Sequence, residues 1–120
     1  MILHKVILSL ASNYQQQDNL AEAHRRLDLM LRCRRYTEAI WTEPINARRP
    51  NLYLNQLLYA ETTLRVEELQ QALKDIELDM GRTADDRREG LVRIDLDLLQ
   101  YDDERFHLRD WERPYVKKLL

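Results

Sequence analysis

The sequence predicts an α+β sandwich, one antiparallel sheet with two helices on one face. Three observations point there: two stretches with apolar residues at helical spacing, four with the alternation or apolar density of strands, and their order along the chain. That order, strand, helix, strand, strand, helix, strand, is the split βαβ or ferredoxin-like arrangement βαββαβ, which leaves the second sheet face available to ligands.

Val6, Leu8 and Leu10 alternate with Ile7, Ser9 and Ala11, the near-continuous apolar run of a strand covered on both sides. Asn19 with Glu22 three positions later marks a helix start, and Leu20, Ala23, Leu27 and Met30 follow at helical spacing. Arg35 to Thr42 carries Tyr36, Thr37, Ile40, Trp41 and Thr42, side chains suited to a pleated sheet, before Glu43-Pro44-Ile45-Asn46 breaks the run. Leu52 to Thr62 reads as a third strand, with Leu52, Leu54, Leu58 and Ala60 on one face and Tyr53, Asn55, Leu57 and Tyr59 on the other. From Val66 the period changes, and Val66, Leu69, Leu73, Ile76 and Met80 form a helical stripe ended by Gly81. Thr83 to Gly90 is too polar for a core and reads as a loop; Arg93 to Leu99 then alternates as the fourth strand. Tyr101 to Leu120, dense in charge and aromatics, is expected to cross the open end of the sheet.

At 120 residues the chain is read as one domain, residues 1–120. Its single cysteine, Cys33, excludes an internal disulfide and a cysteine zinc cage, so any metal must use oxygen or imidazole ligands. A formal charge of -2 lacks the positive field of a general nucleic-acid binder, and neither Gly81 nor Gly90 belongs to a phosphate-binding glycine loop. The apolar run near Met1 is short for a signal peptide and nothing approaches a membrane span, so a cytoplasmic protein is expected.

Asp95 and Asp97, at i and i+2 on a strand, project from one face while Ile94, Leu96 and Leu98 take the other. Paired carboxylates of this kind suit Mg²⁺, which takes oxygen ligands and completes its shell with water and phosphate; the plainer reading pairs Arg93 with Asp95 on a solvated face. Arg82, Arg87, Arg88 and Arg93, with His107, Arg113 and Lys117, make a group suited to phosphate, or one that merely balances Asp85, Asp86 and Glu89. Tyr53 and Asn55 share a strand face, offering a stacking surface beside an amide, as a flat heterocycle needs, although tyrosines so spaced also serve packing.

Taken in order, these pieces resemble hydroxymethyldihydropterin pyrophosphokinase (HPPK), and the resemblance spans nearly the whole chain. Its motifs are Ala11-Ser12-Asn13, Thr42-Glu43-Pro44-Ile45-Asn46, Tyr53-Leu54-Asn55, Ile76-Glu77 with Gly81-Arg82, Asp95-Leu96-Asp97, and His107 six residues before Arg113 with Tyr115 beyond. Asn46 stands where the family has glycine, in a position that tolerates left-handed geometry. The resemblance implies Mg²⁺- and ATP-dependent transfer of pyrophosphate to a pterin alcohol in folate biosynthesis, with AMP released. It implies that Asp95 and Asp97 hold two Mg²⁺ ions, that Tyr53 and Tyr115 sandwich the pterin, and that Asn55 reads its amide edge with Thr42 contributing. Glu77, Arg82, His107 and Arg113 would address the nucleotide, and Arg82 and Arg93 would act with the acids in catalysis. Partners are then pterin and ATP, without nucleic acid or membrane, for a monomer.

The departures fall in the segment before the fourth strand, where the family closes a lid. Ala84 replaces a loop arginine, Glu89 a tryptophan, and Leu91-Val92 a Pro-Arg pair, leaving Arg93, Arg87 or Arg88 as the substitute cation. The alternative function is a catalytically degenerate domain that binds pterin or nucleotide without turnover, or serves as an interaction domain.

Overall fold

A computed structural model describes residues 2–44 and 49–120. Ile45 and Asn46, with the left-handed turn expected at Asn46, lie outside the described residues, as does Met1.

The α+β ferredoxin-like architecture is present. Strand β1 (His4–Ser12) is central, flanked by β4 (Tyr53–Thr62) and β5 (Asp95–Tyr101); β2 (Arg32–Tyr36) and β3 (Ile40–Thr42) both pair with β4, and β6 (Glu104–Arg105) extends β5. All pairings are antiparallel. Helices α1 (Gln16–Asp28) and α2 (Val66–Asp79) cover one face. There Leu20, Ala23, Leu27, Leu69, Leu73 and Ile76 meet Val6, Leu8, Leu10, Leu54, Leu58, Ala60, Leu96 and Leu98, the side chains the two periodicities assign to the core.

Several expectations are corrected. Helix α1 begins at Gln16, three residues before Asn19, after Gln15 turns left-handed at φ 42°. The Asn19 side chain does not accept from the first turn; its amide donates to the Tyr14 carbonyl at 2.7 Å. The strand expected over Arg35 to Thr42 is two strands, because β4 partners Tyr36 with Leu58 but Ile40 with Asn55, one residue out of step. The extra residue forms a bulge in which Thr37 exchanges both its N–H and its hydroxyl with the Leu57 backbone, at 2.9 and 3.0 Å. Leu52 lies before β4 and is exposed.

The segment expected as a polar loop contains a short helix, α3 (Ala84–Glu89), capped by the Thr83 hydroxyl, which accepts from Asp86 N–H at 3.1 Å, and ended by Gly90 at φ 73°. A non-regular link with a bend at Arg93 follows α3, so the fourth strand begins at Asp95 and Arg93 precedes it. Arg93 does not pair with Asp95; its Nε binds Asp86 at 2.9 Å.

The C-terminal segment packs onto the second sheet face. Beyond β6 a 3₁₀ turn (Asp110–Glu112) leads into α4 (Pro114–Leu119), and Trp111, Val116 and Leu119 join Leu57 and Leu99 in a second core. Trp111 is fixed further by its indole N–H, which donates to the Phe106 carbonyl at 3.0 Å, and by the Arg105 guanidinium stacked on its ring. One end of that face is therefore filled and the other stays open. Among the described residues no helix is long and apolar enough to cross a membrane.

Candidate active site

The open part of the second face is a cavity of about 590 Å³. Its floor comes from strand alternation. Across the three central strands Asn55 pairs with Ala11 and Ala11 with Asp95, while Ser9 lies between Leu57 and Asp97. Strands sit about 4.8 Å apart, so Asn55 and Asp95 flank the β1 residue across about 10 Å of floor. The small Ser9 and Ala11 side chains leave this floor low. Thr42 and Glu43 form one wall after β3, and Asp110, Arg113, Pro114 and Tyr115 form the other. Anchoring Trp111 places those four residues, since the chain leaves the buried indole in both directions along the cavity rim.

Of the expected residues, Thr42, Tyr53, Asn55, Asp95, Asp97, Arg113 and Tyr115 line this cavity together. Asn55 is buried, and its amide nitrogen donates to the Ile40 carbonyl at 3.1 Å and the Thr42 hydroxyl at 2.7 Å. A carbonyl only accepts, so the amide orientation is set by its neighbours. Burial raises the hydroxyls of Tyr53 and Tyr115, so both rings are neutral at physiological pH.

The acids are unequal. Burial, then the charge of Asp95, pushes the Asp97 carboxyl up to about 6, and the nearby His107 ring opposes this. His107 Nε2 stands 3.7 Å from Asp97, and the His107 backbone is left-handed at φ 52°. Arg113 Nε contacts Asp110 at 3.0 Å.

Glu77 and Arg82 stand behind the floor and do not line the cavity. Glu77 is buried, accepts from Leu96 N–H at 2.7 Å and binds Arg82 at 2.8 Å; Arg82 in turn reaches Asp95 at 3.8 Å. Burial raises the Glu77 carboxyl and the Leu96 N–H opposes it. Glu77 thus ties α2 to β5 and steadies the strand bearing both aspartates.

Arg93 is drawn away from the cavity. Besides Asp86 it lies over the Tyr14 ring, 5.0 Å from its centroid. Arg88 is paired with Asp85 on α3.

The residue motifs left Asp110 unread and gave Asn13, within Ala11-Ser12-Asn13, no role of its own. Asp110 enters the cavity wall because the 3₁₀ turn brings it there; its His107-x-x-Asp110 spacing is the trace it leaves in the sequence. Asn13 is a buried clamp: its amide donates to the Gly90 carbonyl at 2.9 Å and accepts from Val92 N–H at 2.7 Å, fixing the link between α3 and β5. Asn51 donates to the Asn13 carbonyl at 3.0 Å.

Comparison with known proteins bears on this arrangement. The chain is 33% identical over 122 residues to a folate synthesis bifunctional protein of Arabidopsis thaliana, covering 93% of this chain and 25% of that protein. It is 36% identical over 124 residues to the mitochondrial folate synthesis bifunctional protein of Pisum sativum, covering 93% of this chain and 24% of the relative. The chain therefore spans about a quarter of the length of the curated relatives it matches. Residues 7–120 match the family model of 7,8-dihydro-6-hydroxymethylpterin-pyrophosphokinase (HPPK). The chain belongs to the HPPK family.

Proposed function

We propose that this chain transfers pyrophosphate from ATP to 6-hydroxymethyl-7,8-dihydropterin, releasing AMP. The observation that carries the reading is the convergence, in one cavity, of Tyr53, Asn55 and Tyr115 with Asp95, Asp97 and Arg113. A flat bicyclic guest would stack on the neutral rings of Tyr53 and Tyr115, and Asn55, its nitrogen already committed to Ile40 and Thr42, keeps a carbonyl acceptor for a ring N–H.

The donor set fits magnesium. Asp95 and Asp97 present hard oxygen ligands on one strand face, and burial first, then the neighbouring Asp95 charge, raises the Asp97 carboxyl, a cost that a divalent cation would relieve. Bound there, Mg²⁺ would neutralise the phosphate charge that builds during transfer. Asp95 and Asp97 would hold the ions, and Arg113 would give bidentate hydrogen bonds to phosphate oxygens. Tyr53 and Tyr115 would orient the pterin so that its hydroxymethyl oxygen attacks the β-phosphorus in line with the departing AMP. Glu77 would act through position, holding the backbone between the two aspartates and aligning Arg82 beside Asp95. Phosphoryl chemistry asks mainly for such placement and charge compensation.

One observation favours binding without turnover: Arg93 is held by Asp86 and Tyr14 outside the cavity, where the resemblance expects a catalytic lid cation. Incubating the purified chain with hydroxymethyldihydropterin, ATP and Mg²⁺ separates the readings. AMP release that requires both pterin and Mg²⁺ is expected. Tight pterin and ATP binding without AMP would establish the binding domain instead.

A further inference from the structure

We propose that Asp97, His107 and Asp110 form a binding site for one divalent transition-series cation, of the Mn²⁺, Co²⁺ or Zn²⁺ class, with the His107 imidazole as nitrogen ligand. The inference rests on the functional reading above, since it shares Asp97 with that site. It adds two ligands that reading gives no metal.

The three side chains reach one point from different elements. Asp97 projects from β5, His107 follows the β6 hairpin, and Asp110 opens the 3₁₀ turn. One donor atom from each lies within 4.8 Å of the other two. An ion with bonds of about 2.1 Å holds its ligand atoms roughly 3.0–3.4 Å apart in octahedral or tetrahedral geometry. The Asp97–His107 separation of 3.7 Å needs a few tenths of an ångström of closure, and Asp110, with a donor within 4.8 Å of both, needs up to about 1.4 Å, within reach of a χ rotation.

The backbone predisposes this closure. His107 and Asp110 belong to one turn, closed by Asp110 N–H donating to the His107 carbonyl at 2.8 Å. The neighbouring Trp111, buried in the second core, anchors that turn. His107 holds a left-handed φ of 52°. Its ring is 47% exposed, which leaves an entry path and room for water ligands.

The donor set distinguishes this ion from magnesium. Mg²⁺ favours an all-oxygen shell, whereas imidazole with two carboxylates suits first-row transition cations. Arg113 competes through its 3.0 Å contact with Asp110, but the Arg113 side chain is 43% exposed, so solvent screens the pair, and the contact engages one of the two carboxylate oxygens. A cation that turned Asp110 towards itself would release Arg113 for an anionic substrate group.

The test is a Co²⁺ titration of the full chain without nucleotide or pterin, followed by visible d–d absorption. Pulsed EPR with Mn²⁺ alone reads any coupling to an imidazole nitrogen. One equivalent of Co²⁺ should develop the band, and His107→Gln and Asp110→Asn should each weaken binding by at least about tenfold. Should either variant misfold, the nitrogen coupling in the unmodified chain decides. No band, a band unchanged in both variants, or Mn²⁺ bound without nitrogen coupling overturns the inference. The outcome is independent of AMP release with Mg²⁺: turnover without the Co²⁺ band sinks this site alone, and the band without turnover sinks the pyrophosphokinase reading alone.

Discussion

Replacing Asp97 by Asn should make the metal-free protein more stable while removing the proposed Mg²⁺-dependent activity. The Asp97 carboxyl titrates at about 6 against an ordinary 3.8, a rise of roughly 2 units caused first by burial and then by Asp95. At 1.36 kcal/mol per unit, the ionised group costs the native state about 3 kcal/mol at most near neutrality. The carboxamide introduced in its place must find partners of its own, so about 2 kcal/mol is the expected gain. For 120 residues that is roughly 8 °C in Tm. The sign follows from linkage. A native carboxyl with a raised pKa binds protons more tightly than the unfolded one, so its contribution is most favourable below 3.8 and is lost as pH rises through about 6. The advantage of Asp97→Asn should therefore be full at pH 8 and fall by about two thirds at pH 5. Thermal and urea unfolding in chelator at both values measures it. A variant that melts at or below the parent at pH 8, or whose advantage is the same at both, refutes the electrostatic account. Divalent cation should then stabilise the parent and not the variant, because only the parent keeps the paired acids.

Other perturbations follow from the same geometry. Tyr115→Ala should weaken pterin binding by about tenfold or more through loss of one stacking surface, read by calorimetry, and leave ATP affinity within a few-fold. Asn13→Ala orphans the Val92 N–H and the Gly90 carbonyl and should cost about 2–4 kcal/mol in urea unfolding. Gly81→Ala should cost about 1–2 kcal/mol, since φ there is +101° and the added Cβ would meet Arg93 Cδ at 3.4 Å. A neutral Gly81→Ala would show that the link relaxes freely.

Local periodicity determined much of this protein. Alternation along Val6–Ala11 and Tyr53–Tyr59 assigned faces correctly, because a strand's side chains point by parity whatever it packs against. The same parity placed Asp95, Asp97, Tyr53 and Asn55 on one surface. Gly81 marked the end of α2 because the positive φ there favours glycine. Features that depend on a distant partner were decided only by the tertiary structure. The bulge at Thr37 exists because β4 pairs out of step on its two sides. Arg93 faces Asp86 rather than Asp95 because α3, unread in a run of charged residues, presents that carboxylate first. Glu77 is a buried strut because the Leu96 N–H needs an acceptor. Asp110 joins the acids because Trp111 seeks the second core and carries the turn with it. Backbone direction is written locally, but which polar group meets which is set by whole-chain packing and by the cost of leaving a buried donor or charge alone.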